Sequence, residues 1–121
     1  MKIQSPQEIL KIRVQDDHPE HPGKTVLTAA GEIDIYTQPC LEEHFGIVDT
    51  AKKGVVIDLR KTTYLGGEGV GFLIRMFKRA KEKEKDFCLK VCKKGIVSRM
   101  LKMTEVDRFI PVKYHDGINN N

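Results

Sequence analysis

Residues 55–85 read VVIDLRKTTYLGGEGVGFLIRMFKRAKEKEK and carry the clearest structural signal in the chain. The segment VVIDL at 55–59 is a short, nearly continuous apolar run, which is typical of a central strand covered on both faces. Apolar residues then recur at helical spacing from Val70, and this pattern predicts a helix that ends at about Lys85. The predicted core stripe of this helix consists of Val70, Leu73, Ile74, Phe77 and Ala80. We therefore expect a buried strand, a glycine-rich connection and an amphipathic helix.

The preceding part of the chain predicts two strands and a helix. Residues 9–16 alternate between apolar and polar side chains, and residues 25–33 follow after a turn-forming segment, so the two are predicted to form an antiparallel hairpin. Thr37 is the predicted N-cap of a single helix that runs to the stop signal at 52–54. Its apolar side chains, at helical spacing, are Leu41, Phe45 and Val48.

The C-terminal part predicts a strand at 87–91, a helix after Gly95 and a short last strand at 111–114. Ile96, Met100 and either Leu101 or Met103 are expected to point inward from that helix. A crossover helix lets each new strand lie parallel to its neighbours. The order of elements therefore predicts an α/β fold, a sheet with helices mainly on one face.

Length and composition limit the classes of function that the chain can have. The chain has 121 residues, 40% hydrophobic and 31% charged, which fits one domain, predicted at 1–121 with a core at about 9–114 and frayed termini. No apolar run approaches the ~20 residues of a membrane span, and the first residues lack the apolar segment of an export signal, so a cytoplasmic location is expected. The net charge of +4 is spread along a chain with 7% aromatic residues, so we expect no nucleic-acid partner.

Enzymatic chemistry has little support in the sequence. No serine lies between Ser5 and Ser98, which excludes a G-x-S-x-G nucleophile. Cys88 and Cys92 on one strand would lie ~13 Å apart, too far for a disulfide, so free thiols are expected. The four histidines are scattered and show no ligand spacing. We predict a protein without catalytic activity, metal or cofactor.

The glycine cluster at 66–71 joins the strand region to the predicted helix, a position where proteins often bind phosphate. The dinucleotide pattern G-x-G-x-x-G is not met, and no Gly-Lys-Ser/Thr sequence follows. Glu68 also places a negative charge where a phosphate would bind. A small-ligand or nucleotide-binding domain that uses this glycine cluster remains an alternative hypothesis.

Two motifs together resemble the STAS domains of the anti-sigma-factor antagonist family. Residues 31–37 (GEIDIYT) are similar to the family's G-E-[ILV]-D segment, and residues 56–59 (VIDL) with 63–71 (TYLGGEGVG) resemble V-[IL]-D-L…S-Y-[IM]-D-S-[SA]-G-L-G. Residues 96–109 resemble the closing helix and turn, so the resemblance covers about 10–114. It implies a four- to five-stranded mixed sheet, and a protein-binding module that contacts an anti-sigma factor, itself a Ser/Thr kinase.

The sequence departs from the family pattern at the phosphoacceptor position. In the antagonists, phosphorylation at the start of the second helix dissociates the complex, but Glu68 stands where the resemblance places the acceptor serine. Glu68 supplies a charge of about −1, whereas phosphoserine carries about −1.5 to −2. Two interpretations remain open: Glu68 mimics the phosphorylated state, or it only complements the helix dipole, worth ~0.3–1 kcal/mol. Under either, phosphorylation does not switch the protein at this position.

We predict a partner-binding surface around the glycine cluster. Asp34 ends its strand and is expected near the same rim, and Phe72 and Met76 are candidate apolar anchors, although they are equally well explained as the edge of the core stripe. The predicted surface comprises Asp34, Tyr64, Gly66, Gly67, Glu68, Gly69, Phe72 and Met76. A second alternative is a STAS subunit of a larger sensory or lipid-transport assembly.

Overall fold

The computed structural model describes residues 3–116, so the predicted fraying of 117–121 lies outside the described residues. Six strands form one sheet: β1 (Leu10–Gln15), β2 (Lys24–Ile33), β3 (Gly54–Asp58), β4 (Thr62–Leu65), β5 (Asp86–Cys92) and β6 (Val112–His115). Five α-helices accompany it: α1 (Pro6–Ile9), α2 (Gln38–Glu42), α3 (Ile47–Thr50), α4 (Gly67–Glu82) and α5 (Ile96–Met103). A 3₁₀ turn (Val106–Arg108) precedes β6.

The sheet is mixed, as predicted. Its strand order is β1-β2-β3-β5-β6, with β1 antiparallel to β2 and the other pairs parallel. The predicted β1–β2 hairpin is confirmed. β4 is an additional strand that we did not predict, and it pairs with the end of β2, where Ile33 lies opposite Leu65. β3 pairs with the first half of β2, so β3 and β4 follow one another along the same side of β2.

The hydrophobic core lies on one face of the sheet. Every residue of β3 is buried, which confirms the predicted central strand. Alternate residues of the central strands enter the core with the apolar sides of the helices; they are Leu27, Ala29, Val55, Ile57, Leu89 and Val91. Strand residues alternate between the two faces of a sheet, so these side chains all lie on one face. The helices therefore cover mainly that face, as expected.

Two helices differ from the prediction. The single helix expected after Thr37 is divided into α2 and α3, with turns and Gly46 between them. Thr37 is not a side-chain cap, because its hydroxyl donates to the carbonyl of Glu32 (2.7 Å) instead of to the first turn of α2. On α5 the inward residues include Val97 and Leu101, whereas Ile96 and Met103 are exposed. The buried face of α5 consists of Val97, Ser98 and Leu101, and Met100 is only partly buried.

α4 begins at Gly67, three residues before the predicted start, and its buried face is wider than the predicted stripe. Val70, Leu73 and Ala80 are buried as expected, but Ile74 and Phe77 are only partly buried. Two further residues of this helix, Phe72 and Met76, are fully buried. The difference arises because α2 and α3 pack against α4 and cover a side of the helix that a simple sheet contact would leave exposed.

Candidate functional site

Two chain segments meet at one rim of the sheet. Because β2 and β4 are parallel neighbours, their carboxyl ends lie at the same edge, with Glu32 opposite Tyr64 and Ile33 opposite Leu65. The amide of Gly66 donates to the carbonyl of Ile33 at 2.8 Å and ties the two segments together. We call residues 34–36 and 64–68 the rim surface.

Asp34 shapes the first half of the rim surface. Its Oδ1 accepts hydrogen bonds from the backbone amides of Tyr36 (2.9 Å) and Thr37 (3.0 Å), and the Asp34 amide donates to the Thr37 hydroxyl (3.0 Å). An Asp that bonds the backbone two residues ahead is a common way to close a tight turn. Asp34 therefore lies at the predicted rim. Its carboxylate forms hydrogen bonds that fix the conformation of the loop.

The loop that Asp34 holds presents two apolar side chains that were not predicted to lie at the surface. Ile35 is 75% exposed and Tyr36 is 47% exposed, and the Tyr36 hydroxyl donates to the carbonyl of Gln4 (3.1 Å). Tyr64, which we predicted, is also exposed on the neighbouring strand. The sequence contained a signal for this surface. Ile35 and Tyr36 lie in the turn that follows β2, where polar residues are usual.

Glu68 lies in the first turn of α4 and is exposed to solvent. The helix begins after Gly66, and no side chain caps its first amides. A carboxylate in this turn is favourable because the helix dipole leaves partial positive charge there. The segment is thus a junction between β4 and α4 with an outward acidic side chain. The surface position of Glu68 agrees with the prediction, whereas the strand before it was not predicted.

The glycines of the junction serve packing more than contact with a partner. Gly66 and Gly69 are buried. A Cβ on Gly69 would lie 2.5 Å from Cδ1 of Leu65 and 2.6 Å from Cγ2 of Ile33, so the start of α4 sits directly on β2 and β4. Gly67 is exposed with open space around its Cα, and it is the one glycine of the predicted set on the solvent side.

The predicted apolar anchors Phe72 and Met76 are corrected by the structure. Both are 0% exposed, so neither is available at the surface to a partner. Phe72 packs edge-on against Phe45 with ring centroids 6.0 Å apart, and the Arg75 guanidinium lies 5.7 Å from the Phe72 ring centroid while it pairs with Glu42. The alternative interpretation, that these residues extend the core stripe, is correct.

The carboxylate that ends β3 is engaged in an ion pair. Asp58 accepts from Nε (3.0 Å) and Nη2 (2.8 Å) of Arg60, and also from the Arg60 amide (3.0 Å). Burial acts to raise the pKa of Asp58, but the hydrogen bonds from Arg60 outweigh it, and the pKa lies below its usual value. Such a carboxylate is ionised and already paired, which makes it a poor general acid or base.

Residues 3–116 also bear on metal binding, thiol chemistry and membrane insertion. In that part of the chain, no three His, Cys, Asp or Glu side chains lie close enough together to hold a metal ion. Cys40, Cys88 and Cys92 are free thiols. None of the described helices combines the length and apolar character needed to cross a bilayer.

Comparison with known proteins gives one family. The family model for the STAS domain matches residues 13–117. Anti-sigma-B factor antagonists of Listeria monocytogenes and Listeria innocua are each 30% identical over 79 residues, which cover 64% of this chain and 65% of the relative, just under two thirds of its length.

Solved structures agree on the fold. The crystal structure of an anti-sigma factor antagonist from Mycobacterium paratuberculosis superposes with a TM-score of 0.76 at 26% identity, over 90% of this chain and 89% of that one. The anti-sigma factor antagonist SpoIIAA, in its unphosphorylated form, gives a TM-score of 0.61 at 14% identity, over 88% and 89% of the two chains.

Proposed function

The chain belongs to the STAS domain family, and on this basis we propose that it is a non-enzymatic module that binds an anti-sigma factor in the cytoplasm through the rim surface. The relatives named above are anti-sigma factor antagonists, which supports this class of partner. Three free thiols are in keeping with a reducing compartment. The observation that carries the proposal is the set of exposed apolar side chains at the adjacent ends of β2 and β4: Ile35 and Tyr36 after β2, and Tyr64 on β4, near Glu68.

The rim surface has the properties of a protein-contact site. Ile35, Tyr36 and Tyr64 are large apolar or aromatic side chains that the fold leaves exposed. Aromatic and aliphatic anchors of this kind supply most of the binding energy in protein interfaces. The hydrogen bonds of Asp34 hold the loop in one conformation, which lowers the entropy cost of binding.

We further propose that phosphorylation does not switch this protein at the start of α4. Glu68 occupies the position that the family resemblance assigns to the acceptor serine, and a carboxylate cannot take its place as acceptor for a Ser/Thr kinase. The serine or threonine side chains nearest in sequence precede the helix. Thr62 is buried and its hydroxyl donates to the carbonyl of Ala29 (2.7 Å). Thr63 is exposed, but it lies on β4, five residues before Glu68.

The test uses the purified anti-sigma kinase of the native host with ATP and Mg²⁺, and mass spectrometry of the products. We expect wild type and Thr63→Val to stay unphosphorylated and bound, whereas Glu68→Ser gains one phosphate and dissociates. Phosphate on wild-type Thr63, with release of the partner, would contradict the unswitched state.

The same variants separate the two interpretations of Glu68. If the glutamate mimics phosphate, unphosphorylated Glu68→Ser binds the anti-sigma factor more tightly than wild type. Equal affinities would leave only the helix-dipole interpretation. Co-purification from the native host is the independent check on the class of partner, since recovery of sensory or lipid-transport subunits instead of an anti-sigma factor would refute the proposed function.

A further inference from the structure

The face of the sheet that no helix covers carries charged and polar side chains, whereas the opposite face carries the apolar core. In β1 and β2, Lys11, Arg13 and Gln15 lie opposite Ala30, Thr28 and Val26, on the side away from the core residues Leu27 and Ala29. In β3, β5 and β6 the same side carries three charged neighbours in register, Asp58, Lys90 and Lys113. We call this side, together with Arg60 and Lys61 of the following loop, the helix-free face.

Positive charge dominates the helix-free face. Its cations are Lys11, Arg13, Arg60, Lys61, Lys90 and Lys113. Asp58 neutralises only Arg60, with which it forms a two-point ion pair. Within residues 3–116 the other five cations have no salt bridge. The only other acid at this cavity among the described residues is Glu20 of the hairpin turn, so the face presents more positive charge than Asp58 and Glu20 balance, in a protein whose net charge is only +4.

The β1–β2 hairpin turn folds over this face and makes it concave. His18 and Glu20 of the turn enclose an open cavity of about 620 Å³, which is also lined by Lys11, Arg13, Arg60 and Lys61. Thr28 and Ala30 of β2 contribute to the same lining. The turn is ordered by hydrogen bonds, among them Gly23 N to Asp17 Oδ1 (2.7 Å). A cavity of this volume is in the range that small molecules occupy.

Three side chains behind the residues that line the cavity have nitrogen atoms without partners in the described chain. Lys90 lies opposite Asp58 in the sheet and is only 9% exposed as a residue, but its ammonium reaches solvent and makes no hydrogen bond or salt bridge within the described chain. The Nε2 atoms of His21 and His115 are buried and also unpaired there. Buried polar groups normally have partners, and each exception calls for an explanation. Burial lowers the pKa of both imidazoles, with the charge of Lys90 contributing to each.

We propose that the helix-free face binds a small polyanion, a molecule with two or more phosphate or carboxylate groups, in the cavity between the hairpin turn and Arg60. Arg13 and Lys61, which both line the cavity, contact its anionic groups, with Lys11 at the edge strand. Lys90, the sheet neighbour of Asp58, adds positive charge behind the lining. An arginine presents a planar fork that fits either a carboxylate or a phosphate. This inference does not depend on the proposed function, because it concerns another surface and another ligand.

The competing explanation is that these cations only keep the open sheet face and its edge strand solvated. The two explanations predict a different dependence of anion binding on the positions of the cations. A merely solvated face attracts anions according to total charge, wherever the lysines are placed, whereas a binding site requires the residues around the cavity. A charge-matched control therefore distinguishes them.

The test is calorimetric titration of the full chain with pyrophosphate, tripolyphosphate and citrate at constant ionic strength set by NaCl. The site variant is Arg13→Gln/Lys61→Gln, and the control is Lys52→Gln/Lys78→Gln, which removes two exposed cations elsewhere. We expect the site variant to weaken binding at least tenfold and the control less than twofold. Preference for citrate over the phosphates would identify a carboxylate ligand, and the reverse preference a phosphate ligand.

Three outcomes overturn the proposal. The first is that none of the three anions binds, and the second is that both double variants weaken binding equally. The third concerns location: amide chemical shifts in the NMR spectrum should move at Arg13 and Thr28 on titration, and shifts confined to the start of α4 around Glu68 would place the anion elsewhere. All four substituted side chains are exposed, so the variants should fold, which circular dichroism checks.

Discussion

At the scale of single residues, Gly69 and Gly71 lie two positions apart on α4 but in opposite surroundings. A Cβ on Gly69 would meet Leu65 and Ile33 at 2.5 and 2.6 Å, whereas nothing lies within 4 Å of one on Gly71. We expect Gly69→Ala to lower the free energy of unfolding by about 1–3 kcal/mol through overpacking. Gly71→Ala should raise it by about 0.5–1 kcal/mol, since alanine is the better helix former. Urea denaturation measures both.

Equal effects of the two alanines would contradict this account of the junction. The result also bears on the interpretation of binding data. A bulky residue at Gly69 would weaken partner binding by moving α4 away from β2, so any loss must be compared with the loss of stability. Gly67→Ala is the suitable probe of direct contact, because Gly67 is exposed and has open space around it.

The Asp58–Arg60 pair predicts a pH dependence of stability. The folded-state pKa of Asp58 lies below its ordinary value of about 3.9. The charged pair therefore stabilises the fold fully above about pH 4, and this contribution is lost as the pH falls through the folded pKa. We expect Asp58→Asn to lower the free energy of unfolding by about 1–3 kcal/mol at pH 7. The difference from wild type should shrink toward pH 2.

Urea titrations at several pH values between 2 and 7 measure this difference. Asp49→Asn, which removes a more exposed partner of Arg79, is the control and should have a smaller effect. A wild-type advantage that stays constant down to pH 2 would show that the Asp58 charge does not contribute to stability.

Individual residues were predictable where one local rule decided their environment. Glu68 is exposed as expected, because a charged residue in the first turn of a helix has no reason to be buried. Phe72 and Met76 were assigned to the surface wrongly, since their burial depends on α2 and α3, which lie more than twenty residues earlier in the chain. Ile35 was missed because an exposed isoleucine breaks the rule that apolar residues are buried.

At the scale of elements, the burial of Met76 gives a direct prediction about α4. Truncation of a fully buried methionine removes apolar contacts and leaves a cavity, so we expect Met76→Ala to lower the free energy of unfolding by about 2–5 kcal/mol. Lys78→Ala, on the exposed side of the same helix, should change it by less than about 0.5 kcal/mol. Denaturant unfolding measures both, and a loss below about 1 kcal/mol for Met76→Ala would contradict the observed packing.

Elements with a strong internal pattern were predicted well, and short elements were not. β3 and β5 are apolar runs long enough to identify from the sequence. β4 has only four residues and owes its strand conformation to pairing with the end of β2, which the local sequence does not reveal. The division of α2 from α3 likewise depends on tertiary packing, because the apolar spacing continues across the break at Gly46.

At the scale of the whole molecule, the fold separates three tasks. One face of the sheet carries the core, the opposite face carries unbalanced positive charge, and the rim between β2 and β4 presents exposed apolar side chains. The α/β class and the coverage of one face followed from the order of strands and helices. The location of the two open surfaces did not, because it depends on which strand ends become neighbours and on how the hairpin turn folds back.

The most direct test of the central claim is the affinity of the host's anti-sigma factor for wild type, Ile35→Asp and Met103→Asp, measured by calorimetry. Both isoleucine and methionine are highly exposed, at 75% and 72%, so neither change should affect folding. We predict that Ile35→Asp weakens binding at least tenfold, because it places a charge at the most exposed apolar side chain of the rim surface, while Met103→Asp on α5 binds as wild type. Unchanged affinity of Ile35→Asp, or an equal loss in both variants, would contradict the assignment of the rim surface as the binding site.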